Sequence, residues 1–166
     1  MITVTVTVED YIAAHRLDYQ RARKNSYFIF TAVLTIGIVL TFVGVKIGSL
    51  IAIFAGIGGL LGQWWEDYFG LPQKVRKLYK QFKGISEPHT LSWDSQHIEG
   101  QCASGHGKRN WCDYVRFKES DEVFLIYITD ALWHVYPKRW FTIPGQLEEF
   151  RRYASTAGCC DRPTTG

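Results

Sequence analysis

Cys102, His106 and Cys112, with His97 close by, are the residues whose types best suit chemistry, because thiolates and imidazoles together can hold zinc. Their spacing argues against a metal. No Cys-x-x-Cys pair is present, and Cys102 and Cys112 read more simply as small core residues on neighbouring strands, without a disulfide between them in a reducing cytoplasm. Cys159 and Cys160 lie in a tail without periodicity and read as exposed and incidental. His89, His97, His106 and His134 are scattered, no carboxylate pair shares an evident cleft, and there is no Gly-x-Ser-x-Gly elbow, P-loop or dinucleotide fingerprint. The expectation is a chain without enzyme activity, cofactor or metal. A second group, Trp111, Tyr114, Trp133, Lys138, Arg139 and Trp140, has the aromatic and basic character of a binding face. The plainer reading has Trp111 and Trp133 filling a core and Lys138 and Arg139 bordering a turn.

The elements that must position these residues divide sharply by hydropathy. Of the 166 residues, 46% are hydrophobic and 21% charged, which excludes a disordered chain. The apolar residues concentrate between Tyr27 and Trp65, a stretch about twice the roughly 20 residues a membrane span requires, with Lys46 the only ionisable side chain near its middle. It divides into spans 27–45 and 47–65, with Gly44, Lys46 and Gly48 at a tight turn. A late start and a second span directly behind it exclude a cleaved signal peptide. Arg16, Arg21, Arg23 and Lys24 precede the hairpin, and Lys74, Arg76, Lys77, Lys80 and Lys83 follow it, so both termini are expected in the cytoplasm. Trp64, Trp65 and Tyr68 form an aromatic belt at the cytoplasmic interface. Gly56, Gly58, Gly59 and Gly62 crowd the second span; packing within one chain is the simpler account, and a homo-oligomer through Gly58 and Gly62 the alternative.

Soluble sequence lies on both sides. Ile2 to Val8 alternates with period two and predicts a strand, and Thr7 with Asp10 resembles a capping box for a helix from Glu9 through Arg23 that runs on into the first span. A lone strand needs a sheet, and the only candidate lies beyond the hairpin. Residues 66–86 carry a basic amphipathic helix and linker: Val75, Leu78, Tyr79 and Phe82 fill one arc, and Lys74, Arg76, Lys77, Lys80 and Lys83 the other, as lipid-facing candidates for an anionic inner leaflet. Over 87–157, strands are predicted at His89 to Trp93, Gln96 to Ala103, Arg109 to Phe117, Glu122 to Thr129 and Leu132 to Tyr136, with a helix after Pro144. Residues 158–166 form a flexible tail. The fold class is an α+β membrane protein: the two-helix hairpin, plus a small antiparallel sheet or half-barrel closed by a C-terminal helix. Residues 66–166 hold nearly equal numbers of basic and acidic side chains, so nothing supports nucleic-acid binding.

The alternating N-terminal strand followed by Glu9-Asp10-Tyr11, the two-span hairpin, the basic helix, Trp111 entering a strand, and Pro137-Lys138-Arg139-Trp140-Phe141 followed by Glu149-Phe150 resemble the YcxB-like family of bacterial membrane proteins. The resemblance extends over nearly the whole chain. It implies a pleckstrin-homology-like (PH-like) cytoplasmic domain, built partly from the N-terminal strand and carried on the hairpin in the bacterial inner membrane. The family supplies no catalytic residues. Two functional expectations follow: a membrane-tethered module that docks a protein or lipid, or an immunity protein that protects the membrane from a bacteriocin or secreted toxin.

Overall fold

A computed structural model describes residues 2–81, 87–103 and 105–157. The chain divides into two compact units, Met1–Asp18 with Lys77–Gly166, and Tyr19–Arg76.

The second unit is a helical hairpin of α2 (Gln20–Val43) and α3 (Lys46–Trp65), both long and apolar enough to cross a membrane. The connection is shorter than the sequence suggests. Gly44 adopts φ 89° and ends α2 in a Schellman motif, its N–H donating to Thr41 and that of Val45 to Leu40, so Lys46 and Gly48 already lie inside α3. A Cβ on Gly56 would come within 2.7 Å of Leu34 and one on Gly59 within 2.1 Å of the Phe30 ring, whereas at Gly58 and Gly62 it would meet nothing. Gly56 and Gly59 therefore set the approach of the two helices, and Gly58 and Gly62 do not. Hydroxyls within the hairpin bond the preceding turn: Thr35 to the Thr31 carbonyl, Thr41 to Gly37 and Ser49 to Lys46.

After Trp65 the helix does not stop. A π-turn over Glu66–Gly70 leads into α4 (Leu71–Gln81). Pro72 has no N–H to give the carbonyl four residues back, and one wide turn, closed by Leu71 N–H to the Glu66 carbonyl, absorbs that defect. Phe82 and Lys83 lie outside the described residues.

The first unit begins with β1 (Ile2–Val4) and α1 (Val8–Asp18), joined by the expected capping box: Thr7 N–H donates to Asp10 Oδ2 at 2.8 Å and Asp10 N–H to Thr7 Oγ1 at 3.3 Å. The strand is shorter than the alternating run because this box turns the chain at Thr7. The expected continuous helix also breaks at Tyr19, between α1 and α2. β1 finds its sheet beyond the hairpin, as its alternation requires, pairing antiparallel with β2 (His89–Trp93) in the register Ile2 to Leu91.

The expected single sheet is two. One has the order β1, β2, β3 (His97–Cys102), β4 (Gly105–Asn110); the other comprises β5 (Arg116–Glu119), β6 (Val123–Tyr127) and β7 (Trp133–Pro137). The predicted strand Arg109 to Phe117 is cut by a 3₁₀ turn at Trp111–Asp113. Trp111 is 2% exposed and donates its indole N–H to the Asp94 carbonyl at 2.8 Å, so the turn drives Trp111 and Tyr114 inward together, which an alternating strand cannot do. α5 (Gln146–Ala154) closes the unit. β6, all five residues buried, is its centre: Phe124 meets Phe150 of α5 at 5.3 Å between ring centroids, and on the alternate face Tyr127 donates to Asp18 at the end of α1. Burying a side chain such as Phe150 stabilises by roughly 1.5–3 kcal/mol.

Candidate functional site

Cross-strand register dictates which residues share the inner face of the four-stranded sheet. Three rows cross it: Val4, His89, Cys102 and Gly105; Ile2, Leu91, Gly100 and Gly107; and Trp93, Ile98 and Arg109. Two rows end in glycine on the outermost strand, and a Cβ at Gly100, Gly105 or Gly107 would meet nothing within 4 Å. The missing side chains leave a cleft of about 530 Å³, bounded on its other side by β7 and by Tyr114 and Trp140. This size is typical of small-molecule sites.

The floor is apolar, made by Val4, Leu91, Ile98 and Val135, and the walls are aromatic, with Tyr11, Tyr114, Trp133, Tyr136 and Trp140. Tyr11, His15 and Trp133 pack as a three-ring cluster with centroids 5.2–5.4 Å apart. Burial pushes the Tyr114 and Tyr136 phenols up, and hydrogen bonding between them holds the Tyr136 proton more firmly still, so both are neutral donors at physiological pH. Trp140 is 8% exposed, and its indole N–H has no acceptor among the described residues. His134 stands at the solvent-exposed mouth, yet the protein around it lowers its pKa, and repulsion from Arg109 and His89 lowers it further. Arg109 places its guanidinium 5.8 Å from the centre of the Tyr114 ring.

The residues singled out in the sequence are therefore split. Tyr114, Trp133 and Trp140 line the cleft, and Trp111 belongs to the core. Lys138 pairs with Glu119 at 2.5 Å. Arg139 pairs with Asp10 through Nη2 at 2.5 Å and Nε at 3.1 Å, and bonds the Thr5 carbonyl, tying the N-terminal segment to the turn after β7. Arg109, His89 and His134 join the cleft lining although the sequence marks none of them as a ligand residue. Only the register of β4 turns Arg109 inward, and no local pattern announces it.

The residues that suggested zinc are kept apart. His97 pairs with Asp94 at 3.1 Å and His106 with Glu99 at 2.5 Å, while the Cys102 thiol points to the Gly105 carbonyl. Among the described residues no cluster of three His, Cys, Asp or Glu could hold a metal ion. The expectation that both cysteines are core residues fails: Cys102 is half-buried, and Cys112 is exposed because its neighbours Trp111 and Tyr114 take the inward positions of the 3₁₀ turn. Cys159 and Cys160 lie outside the described residues.

The candidate lipid-facing and interfacial residues are accessible. Trp64, Trp65 and Tyr68 are 51%, 61% and 65% exposed, with Trp64 stacked on Tyr68 and Trp65 against Phe69. On α4, Lys74, Arg76, Lys77 and Lys80 are exposed and Val75 is buried, and the Tyr79 hydroxyl donates to the Val6 carbonyl at 2.7 Å. Lys74 is engaged by Glu66 at 2.6 Å, whereas Arg76, Lys77 and Lys80 have no acidic partner among the described residues.

No curated protein and no solved structure matches this chain. The segment from residue 93 to residue 154, which runs from the end of β2 through α5, matches the family model described as YcxB-like protein, and over these residues the chain is similar to that family.

Proposed function

We propose that this chain is a non-enzymatic, membrane-anchored binding module, in which the α2–α3 hairpin holds a PH-like domain at the cytoplasmic face of a bacterial inner membrane and the cleft receives the ligand. The observation that carries this reading is the glycine-walled cleft. Gly100 and Gly107 occupy inward positions where any larger residue would fill the space, and glycine within a strand otherwise costs stability. The PH-like reading is supported by the order of four strands, three strands and a closing helix.

The membrane reading is supported by the sides of α2 and α3 that face away from their partner, where Phe42, Ile47, Phe28 and Phe54 are 88%, 78%, 76% and 71% exposed. Apolar surface of that extent suits lipid and not water. The flanking cations favour cytoplasmic termini, and Arg76, Lys77 and Lys80 supply the attraction to anionic lipid, with Lys74 contributing less because Glu66 neutralises it.

Native mass spectrometry of the full chain extracted from membranes tests the binding role. A small-molecule adduct is expected on the wild type and its loss in Gly100→Val; identical spectra without an adduct refute a binding cleft. Carbonate extraction and protease protection of epitope tags at both ends test the anchor, and release by carbonate, or cleavage of either tag in intact spheroplasts, overturns it.

A further inference from the structure

Charge divides the walls of the cleft in a way that the binding reading alone does not require. Its lining includes Arg109, His89 and His134 and no Asp or Glu, while the Lys108 and His106 side chains belong to the opposite face of β4. The alternation of β3 and β4 explains the separation. Glu99 lies opposite Lys108 on the outer face, where it also engages His106, while Arg109 stands opposite Ile98 on the inner face. The one acidic side chain of β3 is thus spent outside, and the inward guanidinium has no carboxylate partner among the described residues.

An arginine fork beside aromatic rings, above an apolar floor and with no competing carboxylate, has a definite complement. It is a molecule with an acidic head and an apolar body. We infer that the cleft binds a single-chain amphiphilic anion, with its carboxylate or phosphate on Arg109 and its hydrocarbon on Val4, Leu91, Ile98 and Val135. The inference rests on the binding reading above and deepens it by naming the ligand class. The neutral Tyr114 hydroxyl stands close enough to Arg109 to feel its charge and supplies a further donor to the head. His134 lines the same cleft, and burial, with Arg109 and His89 nearby, disfavours its charged form.

The test uses the full chain in phosphatidylcholine nanodiscs and two fluorescent probes of equal length, dansylaminoundecanoic acid and the corresponding alcohol, with dansylaminoundecyl phosphate to separate phosphate from carboxylate heads. Empty nanodiscs give the partitioning background. Saturable binding of an acidic probe is expected, about tenfold to a hundredfold weaker in Arg109→Gln and partly restored in Arg109→Lys, with the alcohol unaffected by either change. Gly107→Val is expected to abolish binding of all three probes, and Arg152→Gln, at an exposed position of α5, to change none. Hydrogen exchange of β6 establishes that each variant is folded.

Whichever acidic probe binds more tightly identifies the head group. Equal affinity for acid and alcohol, or acid binding indifferent to Arg109, overturns the anionic ligand and leaves a binding cleft standing. Absence of saturable binding by every probe overturns the inference as well, while an adduct by mass spectrometry that disappears in Gly100→Val still upholds the cleft.

Discussion

Removing the charge on Asp10 should detach the N-terminal segment from the rest of its unit. Asp10 accepts four hydrogen bonds, from Thr7 N–H and Oγ1 and from Nε and Nη2 of Arg139, and its side chain is only 10% exposed. Burial alone would raise its pKa, but Arg139 and Thr7 outweigh it and hold the carboxyl below the usual range. Asp10→Asn preserves shape and one acceptor and loses the charged fork. A hydrogen bond to a charged group contributes about 1.5–3 kcal/mol, and Arg139, whose side chain is 51% exposed, recovers part of its hydration when freed, so the loss should be about 1–2 kcal/mol. Asp10→Ala also removes the acceptor for Thr7 N–H, one half of the capping box, and should cost about 1 kcal/mol more. The assay is equilibrium urea unfolding of the full chain, read by hydrogen exchange of β6, whose buried strand opens only with the whole unit. A double-mutant cycle with Arg139→Gln isolates the pair, and a coupling below about 0.3 kcal/mol would show that the fork contributes nothing.

Gly56→Ala should loosen the hairpin and lower its melting temperature in detergent, because the new Cβ would lie 2.7–2.9 Å from Leu34; Gly58→Ala, facing open space, should not, and equal effects would refute the packing. Gly100→Val should stabilise the β domain by about 0.5–1 kcal/mol while filling the cleft, and a destabilised variant in urea would show that the inner face is not open there. Glu119 is held below the ordinary carboxylate range by hydrogen bonds from Arg151, against the opposing effect of burial and with the aid of Lys138. Its contribution is therefore complete above that range and lost as pH falls through the lowered pKa. The stability gap to Glu119→Gln should shrink from about pH 6 to about pH 3, and a gap that widens on acidification contradicts the assignment.

The hairpin, the β1 strand, the capping box and the basic amphipathic helix were all legible in the residues themselves. Each is a local pattern: an apolar run, an alternation, a Thr and an Asp three apart, an amphipathic arc. Even the need of β1 for a distant sheet followed from its unpaired backbone, although its register with β2 did not. The family resemblance likewise rests on order and spacing, and it holds over residues 93–154. The core places of Trp111 and Trp133 and the turn position of Lys138 and Arg139 were also legible, whereas the inward or outward turn of the Cys102, Cys112 and Arg109 side chains was not. Trp111 interrupts an apparently continuous strand because its ring and indole N–H find a buried place that only the folded unit offers. Lys138 and Arg139 look like a binding face until Glu119 and Asp10, remote in sequence, arrive beside them. Arg109, Gly100 and Gly107 carry no signal of their own. They become one wall of a cleft because antiparallel register gives alternate residues to opposite faces, and a shift of one residue would have turned Arg109 outward and Glu99 in.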